Sequence, residues 1–99
     1  MRTLVIVPTY DEAESIRTII ERIRRAVPEA DVLVIDDASP DGTGVIADEL
    51  AAHDNRMTVL HRPEKSGLGA AYLQGFARAF EGGYEAVVEI DADGSHDPA

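Results

Sequence analysis

Cysteine and tryptophan are both absent from the 99-residue sequence, and aromatic residues amount to two phenylalanines and three tyrosines. Without cysteine there is no disulfide, thiolate zinc site or cysteine nucleophile, so stability must come from packing and the redox compartment is left open. Basic residues are scarce: 9 Lys and Arg stand against 19 Asp and Glu, a formal charge of −10. So acidic a chain repels a phosphate backbone, which argues against a nucleic-acid partner. Long apolar runs are missing too. The longest, Leu4 to Pro8 and Val32 to Ile35, fall far short of the roughly 20 residues that a membrane span needs. Acidic residues beginning at Asp11, directly after a very short hydrophobic run, do not fit a secretory leader, and a cytoplasmic location is the resulting expectation.

The 44% apolar content is that of a globular chain, and the length allows one domain whose core is thin, since only about 60 to 65% of the unfolded surface is buried at this size. Thr3 to Val7 is short, apolar and β-branched, which reads as a strand buried on both faces and ended by Pro8, a residue with no backbone donor. From Glu14 the period changes. Ile16, Ile19, Ile20, Ile23 and Val27 recur at helical spacing with arginines and Glu21 opposite, and Pro28 closes the helix. Val32 to Ile35 repeats the strand pattern, and Asp36, Asp37, Ser39, Pro40, Asp41 and Gly42 read as a loop of turn formers and helix caps. A helix is predicted from about Thr43 to His53, and a strand over Met57 to His61. Arg62 to Gly69 reads as a connection. Leu73, Phe76, Ala77 and Phe80 mark the apolar face of a third helix, closed by Gly82 and Gly83. Ala86 to Ile90 is the fourth strand, followed by an acidic turn-rich segment. This alternation predicts an α/β fold with a mostly parallel sheet and helices on both faces.

Open α/β sheets bind ligands beyond the carboxyl ends of their strands. Three of the four predicted ends carry acids: Asp11 and Glu12 after the first strand, Asp36 and Asp37 after the second, Asp91 and Asp93 after the fourth. Carboxylates crowded on one rim need positive compensation, most simply a divalent cation. Asp91-Ala92-Asp93 is the sharpest candidate, because two carboxylates one residue apart in a turn can face one hard ion, Mg2+ or Mn2+. The competing reading makes Asp93-Gly94 a turn and Asp97 a helix cap. Asp41 or Ser39 is expected only to cap the second helix, whereas one of Asp36 and Asp37 is expected to accept hydrogen bonds from a ligand. Tyr10 offers a ring that can lie against a base. Gly67-Leu68-Gly69 lacks the third glycine of the dinucleotide fingerprint, since Tyr72 occupies its place, and no phosphate-loop pattern is present. Lys65 and His96 have sufficient explanations as residues of exposed loops.

Together, Pro8-Thr9-Tyr10-Asp11-Glu12, Val34-Ile35-Asp36-Asp37-Ala38-Ser39-Pro40-Asp41-Gly42-Thr43, Lys65-Ser66-Gly67-Leu68-Gly69-Ala70-Ala71-Tyr72 and Asp91-Ala92-Asp93-Gly94-Ser95-His96 resemble the family 2 glycosyltransferases. Within that family the blocks look like the branch that mannosylates dolichyl or polyprenyl phosphates, and the last block looks like its actinobacterial members. The resemblance runs through essentially the whole chain. It implies a GT-A, Rossmann-like fold whose first half binds the sugar nucleotide, and it implies that this chain is an amino-terminal part of one catalytic domain, inactive and self-associating by itself. By position, Pro8, Tyr10, Glu12, Ile35 and Asp37 would contact the nucleotide, and Asp91, Ala92 and Asp93 the diphosphate and its metal, with Asp91 and Asp93 as ligands. The implied reaction moves mannose from GDP-mannose to a polyprenyl phosphate with inversion, at the cytoplasmic face of a membrane. No catalytic residue is assigned, because a phosphate acceptor is already anionic at neutral pH. Two departures stand out: family members usually have Asn where this chain has Asp11, and some have a longer amide where it has Ser95.

Two other classes compete with this reading. A receiver-like phosphoacceptor module also gathers acids and magnesium at strand ends, but its paired acids should follow the first strand, and here they follow the second. A noncatalytic sugar-nucleotide-binding module is the other.

Overall fold

The computed structural model describes residues 2–63 and 68–90. Within them the elements run β1 (Thr3–Thr9), α1 (Ile16–Ala26), β2 (Asp31–Asp37), α2 (Thr43–Ala52), β3 (Met57–Arg62), α3 (Leu68–Gly82) and β4 (Ala86–Glu89). The four strands form one sheet in the order β3-β2-β1-β4, and every pairing is parallel. Winding proceeds outward from β1 through β2 to β3, then returns to the far side of β1 for β4. Right-handed crossovers taken in opposite directions put their helices on opposite faces, and the core divides accordingly. Val5, Val7, Val32 and Val34 pack with α1 and with Ala47 of α2 on one face, while Leu4, Ile6, Leu33 and Ile35 pack with Ala71 and Ala79 of α3 on the other.

Pro8 does not end β1, which continues to Thr9. In a parallel strand the N–H and C=O of one residue point to the same side, and alternate residues share that side. The Ile6 carbonyl accepts from Ile90 N at 3.0 Å, so Ile6 and Pro8 both face β4. The last β1–β4 register pair is Ile6↔Glu89, so the donor that Pro8 lacks has no acceptor to miss in that ladder. Similarly, Asp36 and Asp37 are the last two residues of β2, not a loop, and β3 extends to Arg62 because it pairs with them in the registers Asp36↔His61 and Asp37↔Arg62. Helix α1 begins at Ile16, two residues later than its periodicity suggests, after a turn over 13–15.

The largest departure is the face of α3. Leu73, Phe76 and Phe80 were the residues expected to mark its buried side, yet they are 72%, 41% and 89% exposed. Ala77 is exposed as well. The buried stripe is Ala71, Gly75 and Ala79, spaced four apart. Steric distance explains the choice: a Cβ at Gly75 would stand 2.7 Å from Ile6 Cδ1 and 3.0 Å from its Cγ2. The helix lies so close to β1 that only the smallest residues fit between them.

Candidate functional site

The winding direction reverses at β1, which makes the crevice beyond the carboxyl ends of β1 and β4 the switch point where open α/β sheets receive ligands. The segment after β1 is held there by the segment after β2. Asp11 N donates to Ser39 Oγ at 3.0 Å, Glu12 N to Thr43 Oγ1 at 2.9 Å and Ala13 N to Asp41 Oδ2 at 3.0 Å. Three consecutive amides thus use side-chain acceptors from the β2–α2 loop and the first residue of α2, and the Glu12 carbonyl in turn accepts from Ser15 N and Ile16 N to start α1. Asp11 (φ 56°) and Ala38 (φ 53°) adopt left-handed backbone on the two sides of this seam. Asn and Asp tolerate that conformation better than other residues with side chains, which suits Asp11 to its place on the seam.

Asp41 was expected only to cap α2. Its Oδ1 does accept from Thr43 N at 3.0 Å and from the Thr43 hydroxyl, but its other oxygen ties down Ala13. The hydrogen bond from the Thr43 side chain, with burial opposing it and those from the Ala13 and Thr43 backbones assisting, holds the Asp41 carboxyl below the ordinary 3.8. Ser39 was grouped with it as a cap, yet its hydroxyl donates to Asp36 Oδ1 at 2.6 Å and its amide to Asp36 Oδ2 at 3.1 Å.

Adjacent residues on a strand point to opposite faces, and that separates the two acids of β2. Asp36 faces the α1/α2 side. Besides Ser39 it accepts from Thr9 Oγ1 at 2.6 Å, and both residues are buried, Asp36 at 3% exposure. Asp37 faces the α3 side, where Arg62 Nε lies 3.1 Å from its Oδ1 and both side chains are more than nine-tenths buried. Of the pair, Asp36 is tied into the scaffold on both oxygens. Asp37 is the one held on a charged partner at the strand terminus.

Of the remaining expected site residues, Pro8 is buried in β1, Tyr10 and Glu12 are half-buried at its exit, and Ile35 is fully buried within the α3-side core. Asp91, Ala92 and Asp93 lie outside the described residues, as do Lys65, Gly67 and His96. Ile90 hydrogen-bonds Ile6, so the chain leaves β4 beside β1. Among the described residues no group of three or more His, Asp or Glu side chains is placed to hold a metal ion. Sequence reasoning missed Arg62, Thr9 and Thr43. Arg62 was signalled only by the β2–β3 register, which needs the strand ends to be known.

A depression of about 530 Å3 opens beside the β1 exit, lined by Asp11 to Ser15 and Asp41. Another of about 390 Å3 includes Asp31, Arg56, Arg78 and Tyr84 in its lining. It lies at the amino ends of the strands, opposite the rim where ligands of such sheets bind. There, Tyr84 Oη donates to Asp31 Oδ2 at 2.5 Å; burial first, and this hydrogen bond second, push the Tyr84 hydroxyl above its ordinary 10.0.

A reversing parallel sheet with acids gathered at its strand ends agrees with the comparisons. The family model described as glycosyl transferase family 2 matches residues 4–99, and the chain belongs to this family. An undecaprenyl-phosphate mannosyltransferase of Micrococcus luteus is 59% identical over 99% of the chain, and a polyprenol monophosphomannose synthase of Mycolicibacterium smegmatis is 56% identical over 98%. The chain spans 40% and 37% of the lengths of these two relatives. A mannosyltransferase from Pyrobaculum calidifontis, solved in complex with GDP-Man and Mn2+, superposes with a TM-score of 0.80 at 32% identity, covering 93% of this chain and 27% of that one. The GT-A architecture implied by the sequence blocks is therefore the one observed.

Proposed function

We propose that this chain is the donor-binding part of a metal-assisted, inverting mannosyltransferase that moves mannose from GDP-mannose to a polyprenyl phosphate. The observation that carries the reading is the rim itself: the β1 exit, fixed by three amide hydrogen bonds, stands next to the end of β2 and the departure point of β4, where this fold receives ligands. The mannosyltransferase names of the two bacterial relatives support the sugar and the lipid acceptor, and the GDP-Man and Mn2+ of the Pyrobaculum enzyme support the donor and cofactor.

In this reading Pro8, Tyr10, Glu12, Ile35 and Asp37 form the nucleotide side, with Tyr10 against the base and Ile35 acting as the floor beneath Asp37. Asp91 and Asp93 would hold the cation. Their carboxylate oxygens are the hard donors that Mg2+ or Mn2+ takes, and the Ile90–Ile6 hydrogen bond supports delivery of residue 91 to the rim. When bound, the cation offsets charge on the departing diphosphate. A phosphate acceptor with a second pKa of about 6 is already anionic at neutral pH, so no residue is assigned as base.

Among the described residues no helix is long and apolar enough to cross a membrane. Peripheral association with the cytoplasmic face, needed to meet a lipid acceptor, is part of the proposal, as are inactivity and self-association of the isolated 99-residue chain. Sedimentation equilibrium and a transfer assay test that last pair. Calorimetric titration of the full-length protein with GDP-mannose, with and without manganese, tests the donor and the metal. Tight binding only with the metal is expected; equal affinity without it removes the metal role, and preference for a uridine nucleotide redirects the donor assignment.

A further inference from the structure

We infer that Arg62 is the positioning residue for Asp37, holding its carboxylate in the orientation that a nucleotide meets; this rests on the reading of Asp37 as a nucleotide contact. The two are register partners at the last position of their strands. Arg62 Nε stands 3.1 Å from Asp37 Oδ1, with side-chain exposures of 9% and 8%.

A role in stability alone explains this pair poorly. Buried ion pairs contribute little over apolar residues of the same volume, because desolvation offsets their attraction. Between its ends the α3 face of β1 and β2 is aliphatic, built from Leu4, Ile6, Leu33 and Ile35, and could have continued so for one more layer. A partly exposed pair, Asp31 with Arg2, lies at the amino end, whereas the deeply buried pair stands at the carboxyl end of the sheet, the end that carries the site. Asp36 makes the contrast plain. Its oxygens are held by Thr9 of β1 and by nearby Ser39, uncharged groups, with no charged partner from β3.

The geometry of the pair also points to orientation. Arginine is planar and presents a fixed fork of donors, so a contact through Nε constrains the carboxylate in a way that a flexible ammonium does not. Arg62 Nη1 is buried and has no hydrogen-bond partner among the described residues. A buried donor left unpaired is costly and calls for a reason; here the guanidinium is placed by its ion pair with one carboxylate oxygen, 3.1 Å from Nε, rather than arranged to satisfy all its own donors.

The test is a double-mutant cycle in the full-length protein, with GDP affinity measured by calorimetry in the presence of manganese. Asp37→Asn is expected to weaken GDP at least tenfold, Arg62→Gln to weaken it comparably, and the double variant to be no weaker than Asp37→Asn alone within about twofold. Arg62→Lys, which keeps the charge, is expected to fold with a native circular dichroism spectrum and to recover only part of the affinity. If Arg62→Gln does not fold, Arg62→Lys decides the question, since wild-type affinity there overturns the requirement for a guanidinium. Weakening by Asp37→Asn without any effect of Arg62→Gln overturns the positioning role and leaves Asp37 as a contact. Additive losses make Arg62 an independent contributor and also overturn it. Unchanged affinity in Asp37→Asn overturns the reading of Asp37 itself, and the inference with it.

Discussion

Thr9 Oγ1 donates to Asp36 Oδ1 at 2.6 Å across two register partners at the ends of β1 and β2. A hydroxyl 3% exposed thereby serves a carboxylate equally removed from water. Valine keeps the shape of threonine but not the donor, so Thr9→Val is expected to cost about 1–3 kcal/mol through the under-satisfied carboxylate. Urea unfolding checks it, with a lowered midpoint at unchanged m-value as the expected signature.

Ala38 carries a side chain at φ 53°, a conformation that glycine adopts without a Cβ penalty. Ala38→Gly is expected to stabilise the protein by up to about 1 kcal/mol. Asp11→Asn should be nearly neutral, whereas Asp11→Val, a β-branched residue at φ 56°, should destabilise by about 1–3 kcal/mol. Thermal melts of the three variants, ranked in that order, are the measurement.

The two sides of α3 should respond oppositely to substitution. Gly75→Ala places a methyl 2.7 Å from Ile6, a β-branched residue with 0% exposure and little rotamer freedom, and should cost about 1–3 kcal/mol by overpacking. Phe80→Ser, at a position 89% exposed, should change folding stability by no more than about 0.5 kcal/mol. Equal losses in chemical denaturation would refute the close approach of α3 to β1.

Acid should unfold the protein partly through Asp54 and Asp41. Burial alone would raise the Asp54 carboxyl, but the fork from Arg24, at 2.6 and 3.0 Å, and the Arg56 amide outweigh it and hold it below the ordinary 3.8. Asp41 is likewise lowered, chiefly by the hydrogen bond from Thr43. A carboxyl whose folded value lies below its unfolded one stabilises fully above the unfolded value, and that contribution is lost as pH falls through the folded one. Stability should therefore decline below about pH 4, and Asp54→Asn should flatten part of the decline while lowering the plateau. Denaturation midpoints taken from pH 2 to 7 would show this.

At the proposed metal site, Asp93→Asn in the full-length protein is expected to lower mannosyl transfer by about a hundredfold or more, because a hard cation needs charged oxygen. His96→Ala should lower it far less. Comparable losses in a transfer assay with a polyprenyl phosphate would reassign the histidine.

The order of elements was readable because the strands are short runs with β-branched residues, α1 has a 3.6-residue period and α2 follows a loop of turn formers and caps, signals that depend only on neighbours in sequence. What escaped depends on neighbours in space. Asp36 and Asp37 look like loop formers until β3 pairs with them. Arg62, 25 positions beyond Asp37 and opposite it in register, announces nothing locally. The face of α3 was misjudged because hydrophobicity favours Leu73 and Phe80, whereas the clearance above Ile6 admits only Ala71, Gly75 and Ala79. Of the site, the β1 exit and the acids of β2 were legible, but the division of labour between those acids was not.

The Asp37–Arg62 pair changes how one corner of the rim looks to an approaching anion. Composition alone describes a strongly negative molecule, and a nucleotide diphosphate should be repelled by it. Yet at the end of β2 and β3 the acid and the guanidinium sit 3.1 Å apart, so beyond a few ångströms the fields of these two groups largely cancel. Asp37 therefore adds little to the repulsion at its own corner, and what an anion meets there comes from Asp36, whose partners Thr9 and Ser39 carry no charge. The formal charge of −10 remains for a cation to offset.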